Sequence, residues 1–144
     1  MTEVAFTCEC GSLEGIAHGV SPRTGNHCVC YCVDCQCFAR YLDRADEVLD
    51  DNGGTAIFQL SAGKVEITKG QEHLACMRLS PNGLMRWYAR CCNSPVANTL
   101  ESTALPFAGM IMTLFGAGRA HVEAEPFGKI RARVQTEEAI GDTS

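Results

Sequence analysis

The chain has 144 residues, a formal charge of −5, 46% hydrophobic and 20% charged residues, and ten cysteines. That length supports one domain with a real core, and no stretch approaches the ~18 apolar residues that a membrane span requires. The acidic balance runs against nucleic acid, whose binding domains carry basic patches.

Glu3 to Thr7 alternates weakly and leads into Cys8-Glu9-Cys10-Gly11 as a strand does. Gly15 to Val20 is a second short strand, closed by the turn Ser21-Pro22-Arg23-Thr24-Gly25-Asn26. A third strand from His27 to Cys32 delivers the decapeptide Cys28-Val29-Cys30-Tyr31-Cys32-Val33-Asp34-Cys35-Gln36-Cys37, which holds five cysteines. Asp34 is the expected N-cap of a short helix running to about Leu42, whose positive end favours the Cys32 and Cys35 thiolates. Asp43 to Asn52 is acidic and reads as a surface excursion with a helical turn. Beyond it the pattern is antiparallel β. Thr55–Ser61 and Lys64–Lys69 are joined by Ala62-Gly63, and Glu72–Ser80 and Leu84–Arg90 by Pro81-Asn82-Gly83, both hairpin signals. Phe107 to Phe115 is the most apolar stretch, available either as core or as the wall of a pocket. Ala120–Ala124 and Lys129–Val134 are late strands, and the polar segment 135–144 is expected to be a mobile tail on a domain spanning 1–134. The class is mostly β with little helix.

The N-terminus shows no basic n-region followed by an apolar h-region, so the cytoplasm is the expected compartment, where thiols stay reduced. Metal, reactivity or burial must then account for the cysteines. Zinc bound by thiolates at about 2.3 Å places sulfurs about 3.8 Å apart, the edge of a tetrahedron. Cys-x-Cys puts two side chains on one face of an extended segment, and Cys-x-x-Cys brings two together around a turn. Cys30-x-Cys32-x-x-Cys35 combines both, so three thiolates converge with little chain between them. Three protein ligands leave a fourth position open, the mark of a catalytic rather than a structural site. An incoming thiol can take it, or Cys28, Cys37 or Cys91 can close it. Otherwise Cys28 and Cys37 read as packing residues, and Cys76 as core or sheet face. His27 reads as a hydrogen-bonded loop residue. His18, His73 and His121 lack partners at metal spacing. Arg40, Arg86 and Arg90 read as surface residues near the clusters, with holding substrate carboxylates as the functional alternative.

The ordered set of Cys8-Glu9-Cys10-Gly11, then Cys30-Tyr31-Cys32-Val33-Asp34-Cys35, then Trp87-Tyr88-Ala89-Arg90-Cys91-Cys92-Asn93-Ser94-Pro95 resembles the glutathione-dependent formaldehyde-activating enzyme family, which includes centromere protein V-like proteins. The resemblance spans roughly Thr7 to Thr99. It implies a β-rich zinc fold, a zinc-stabilised β-tent of small antiparallel sheets, with one or two zinc ions and carbon–sulfur chemistry on adducts of glutathione or a related small thiol. It further implies a structural zinc on Cys8, Cys10 and Cys92, and an open, catalytic-type zinc on Cys30, Cys32 and Cys35. The family's remaining structural ligand falls on Ala89, with Cys91 as the replacement. Tyr31 stands where the family usually has His. These departures, with Tyr-Ala before the double cysteine, fit a divergent subgroup of unknown function. Beside this lyase reading stand a noncatalytic zinc-stabilised binding module and, more weakly, a thiol redox or metal sensor. Neither nucleic acid nor a membrane is an expected partner.

Overall fold

The computed structural model describes residues 2–81, 83–100, 107–116 and 127–140. Its strands, in chain order, are β1 (Thr2–Thr7), β2 (Glu14–Val20), β3 (Asn26–Cys30), β4 (Thr55–Ser61), β5 (Val65–Lys69), β6 (Leu74–Met77), β7 (Met85–Ala89), β8 (Ser94–Thr99), β9 (Phe107–Ile111) and β10 (Ala132–Val134). Two short helices, α1 (Val33–Tyr41) and α2 (Ala45–Val48), follow β3. The protein is therefore mostly β, as expected. A three-stranded antiparallel sheet has the order β1-β2-β5, and a seven-stranded sheet has the order β10-β3-β4-β9-β8-β7-β6. The larger sheet is mixed, because β10 runs parallel to β3 while the other pairs are antiparallel.

The period of two along β4 and β9 explains the layering. Phe58, Leu60, Ala108 and Met110 join Phe6, Leu13, Ala17 and Val20 in a core that brings the two sheets together. Ile57 and Ile111 belong to a second core with Cys28, Ala39, Val48 and Leu49, so the opposite face of the large sheet is covered by the helices. A strand buried on both faces has both edges paired, and β4 lies between β3 and β9. The hairpin expected at Ala62-Gly63 is accordingly absent. A 3₁₀ turn over Ala62–Lys64 instead carries the chain into the smaller sheet, where the more exposed β5 pairs with β2.

The second hairpin forms, pairing β6 with β7 from Leu74↔Ala89 to Met77↔Arg86, with both strands shorter than expected. Residues Gln71–His73 form a 3₁₀ turn after Gly70, whose φ is +77°. A Cβ on Gly70 would lie 1.9 Å from the Ser12 carbonyl oxygen, so glycine lets β5 end against the loop that follows Cys8. Strand β8 is a further strand, and it carries Pro95, which has no N–H to give to a central ladder. It is accommodated by a register irregularity in which Trp87 faces Ala97 and Tyr88 faces Pro95. The strand expected over Ala120–Ala124 lies outside the described residues.

Residues 135–140, expected within a mobile tail, are docked. Gln36 Nε2 donates to the Glu138 carbonyl at 3.0 Å, the Val33 N–H donates to the Glu138 carboxylate at 2.6 Å, and the Ile140 N–H donates to the Asn52 carbonyl at 2.8 Å. The segment is polar because hydrogen bonds rather than apolar burial hold it. Among the described residues no helix is long and apolar enough to cross a membrane.

Candidate metal centre

The first cysteine cluster joins distant parts of the chain. Cys8 follows β1, and the loop to Leu13 folds back so that the Cys8 N–H donates to the Leu13 carbonyl at 3.0 Å and the Leu13 N–H donates to Cys8 Sγ at 3.3 Å. Cys91 and Cys92 occupy the turn between β7 and β8, with Asn93 at a φ of 58°. In a strand, successive side chains would point to opposite faces; in this turn, adjacent cysteines reach one point. Cys8 Sγ lies 3.8 Å from Cys10 Sγ and 3.7 Å from Cys91 Sγ, and Cys91 Sγ lies 3.9 Å from Cys92 Sγ. All four sulfurs fall within 4.8 Å of one another, and all four cysteines are free. These separations are far from the ~2.05 Å of a disulfide and match the ~3.8 Å edge of a tetrahedral thiolate site. Cys91 thus joins the three expected ligands, while Ala89 is fully buried in the core between the sheets.

Hydrogen bonds around this cluster suit ionised sulfurs. The hydroxyl and backbone N–H of Ser12 hold the Cys10 thiol down at about 6. Cys92 is also lowered, with the Ser94 hydroxyl 3.1 Å away as the largest lowering influence opposing burial. Ser94 Oγ in turn accepts the Glu9 N–H at 3.0 Å, and Arg44 Nη2 donates to the Cys92 carbonyl at 2.5 Å. The turn is thereby tied both to the N-terminal loop and to the start of α2.

The second cluster is local. Cys30 ends β3, Cys32 is the N-cap of α1 and Cys35 lies in its first turn, with the three sulfurs within 4.8 Å of one another. Tyr31, between two of them, is buried on the opposite side, where its N–H donates to the Val134 carbonyl at 3.1 Å and its hydroxyl accepts from Arg133 Nη1 at 2.5 Å. The expected cap, Asp34, is instead inside the helix. Cys32 Sγ accepts the Cys35 N–H at 3.3 Å, which makes the sulfur itself the capping group. The Cys32 thiol is held far below its ordinary range by Cys30 and Cys35, with the Cys35 N–H and Arg86 adding to the effect. Cys35 moves the other way, raised by Cys30, Cys32 and burial, so the helix terminus does not favour both thiolates equally.

No fourth His, Cys, Asp or Glu joins this cluster among the described residues. Cys28 packs in the core beneath the helices, as expected. Cys37 is exposed, because two positions along a helix turn it about 200° from the buried Cys35. Cys76 is exposed on β6. His27 is buried in β3 rather than placed in a loop, with Nδ1 donating to the Gly128 carbonyl at 2.9 Å. His18 bridges Glu3 and Glu66 on the small sheet, and His121 lies outside the described residues. Arg40 and Arg90 are exposed. Arg86 is 2% exposed, with Nη1 3.6 Å from Cys35 Sγ and its guanidinium carbon 5.7 Å from the centre of the Phe38 ring.

Two cavities adjoin these clusters. One of about 780 Å³ is bounded by Phe6, Cys8, Gly15, Val48, Ser94 and Phe115. The other, about 10 Å³, lies between Cys35, Arg86, Thr55 and Asn98 and has room for a single water. Of the Phe107–Phe115 stretch, Ile111 lines the small cavity and Thr113, Leu114 and Phe115 the large one, while Met110 is core.

Fold and site together define a mostly β protein with two cysteine clusters, one of four and one of three, each arranged so that it could hold a metal ion. The chain belongs to the family described as "Family of unknown function (DUF6151)", whose profile matches residues 1–143. No curated protein matches it. Among solved structures it is similar to a Rhodobacter sphaeroides protein, a structural-genomics crystal structure, at 14% identity and a TM-score of 0.54. That match covers 90% of this chain and 98% of the other, and at this identity it speaks for the fold.

Proposed function

We propose that this is a zinc-dependent carbon–sulfur lyase or thiol-adduct enzyme acting on glutathione or a related small thiol, of the formaldehyde-activating type. The observation that carries the reading is the contrast between the clusters: four cysteines converge at one and three at the other. Cys8, Cys10, Cys91 and Cys92 are the complete donor set of a structural ion, which would tie the N-terminal loop to the β7–β8 turn. Cys30, Cys32 and Cys35 would hold an ion with a position left for substrate sulfur. The all-thiolate donors and the 3.7–3.9 Å sulfur separations of the first cluster fit zinc. Zinc in the second would supply a Lewis acid that keeps an incoming thiol deprotonated at neutral pH.

In the forward direction the thiolate sulfur forms a bond to the aldehyde carbon, the carbonyl π pair moves to oxygen, and that oxygen takes a proton from solvent. The reverse is cleavage of a hydroxymethyl thioether. Cys30 and Cys32 are only half-buried, so a small thiol can approach from their side. A reducing compartment such as the cytoplasm suits ten unpaired cysteines. The test is the rate of adduct formation between glutathione and formaldehyde, followed by NMR exchange spectroscopy. Acceleration that disappears in Cys32→Ser supports the enzyme.

A specific observation favours a second reading, a noncatalytic zinc-stabilised binding module. The cavity at Cys35 takes one water, and the larger one lies against Cys8 instead. Bound metal at both clusters without any acceleration would favour that module.

A further inference from the structure

Arg86 is a buried charge that the proposed thiol chemistry leaves without a task. It sits in β7 with Met77 on one side of the ladder and Asn98 on the other, and is 2% exposed. A guanidinium taken out of water needs a counter-charge. Among the described residues no carboxylate pairs with it, and its Nη1 lies 3.6 Å from Cys35 Sγ. The other polar groups around the small cavity are uncharged: Thr55 Oγ1 and Asn98 Oδ1, both buried and both without hydrogen-bond partners. A water there would hydrate the guanidinium but not neutralise it. Among the described residues, the negative charge available to Arg86 is therefore that of the cysteine cluster.

The charges at that cluster sum simply. Three thiolates and a divalent ion leave −1, and Arg86 brings the total to zero. An anionic fourth ligand then adds a single net charge to a partly buried site, whereas without Arg86 it would add a second. Since Nη1 is 3.6 Å from a sulfur that would sit about 2.3 Å from zinc, the guanidinium lies within about 6 Å of any ion held there. At that separation in a partly buried site a unit positive charge attracts an anion and leaves a neutral ligand largely unaffected.

We infer that Arg86 makes the open position at Cys30, Cys32 and Cys35 selective for anionic ligands, thiolates among them, over neutral ligands of similar size. This rests on the reading that these three cysteines hold a metal ion with a free position. Arg86 acts through its charge and its seat on the Phe38 ring, not by contact with the reacting carbon.

The test uses the full chain loaded with Co²⁺, whose visible spectrum reports the ligands directly. Azide is the anionic probe and imidazole the neutral one, and the responding band is assigned by its loss in Cys32→Ser. Arg86→Met should lower azide affinity by about tenfold and leave imidazole within about twofold, and Arg86→Lys should restore most of the azide preference. An azide-to-imidazole ratio unchanged by Arg86→Met overturns the inference. A chain that takes up no Co²⁺ sensitive to Cys32→Ser instead overturns the open-site reading itself, and the inference with it.

Discussion

Cys32 caps the helix that carries Cys35: its sulfur accepts the Cys35 N–H at 3.3 Å, so one atom both starts the helix and stands in the cysteine cluster. These two tasks separate on substitution. Cys32→Ser keeps an oxygen that can cap but loses the soft ligand, whereas Cys32→Ala loses both. Both variants should lose the metal of the three-cysteine cluster. In metal-free protein, Cys32→Ala should be the less stable by about 1 kcal/mol, read from urea unfolding. Equal stability would show that a capping atom at residue 32 adds nothing to the helix.

At the other cluster, Cys91 stands where the sequence pattern left a gap at Ala89. Cys91→Ser should reduce the metal content by one ion per chain, and Cys91→Ser combined with Ala89→Cys should not restore it. Ala89 is fully buried in the core between the sheets, where a bulkier thiol would overpack its neighbours. Restoration by the double change would place the ligand at residue 89 after all.

Gly70 supports the same cluster from behind. Gly70→Ala places a methyl group against the Ser12 carbonyl and forces an L-residue to a φ of +77°. We expect a loss of at least about 1–2 kcal/mol in urea unfolding. Metal transfer from the four-cysteine cluster to a chromogenic chelator should also quicken, because Ser12 hydrogen-bonds to Cys10. A variant as stable as the parent would mean that the β5–loop contact is loose.

His18 links the three strands of the smaller sheet through Glu66 on β5 and Glu3 on β1, and the Glu66 and Glu3 carboxylates raise its pKa. A raised folded-state pKa means that the protonated form favours folding. Its contribution is fully present below the unfolded value of about 6.5 and is lost as pH rises through the higher folded value. An NMR titration should find the His18 ring above 6.5, and Glu66→Gln should bring it down. A titration at or below 6.5 in the parent contradicts the pairing.

What could be read from the sequence divides by distance along the chain. Cys30, Cys32 and Cys35 lie close enough that spacing alone brings them together. The four-cysteine cluster joins positions 83 apart, and only family resemblance pointed to Cys8, Cys10 and Cys92. Asp34 outranks cysteine as an N-cap by ordinary preference, so the sulfur cap at Cys32 was not visible. Ala62-Gly63 carries the same turn chemistry whether a chain forms a hairpin or changes sheets, and only the full pairing of β4 settles which. Arg86 looked like a surface residue because an arginine in an alternating strand normally marks the solvent face. Nothing local announces that its partner is Cys35, 51 positions away. The docking of residues 135–140 was hidden for the same reason, since a polar strap and a free tail have similar composition.

The central claim is that the two clusters are metal sites of different completeness. Its most direct test is the metal content per chain of protein purified without chelator, by elemental analysis. The account predicts two zinc ions per chain, falling to one in Cys32→Ser and to one in Cys91→Ser; protein that carries no metal would contradict it.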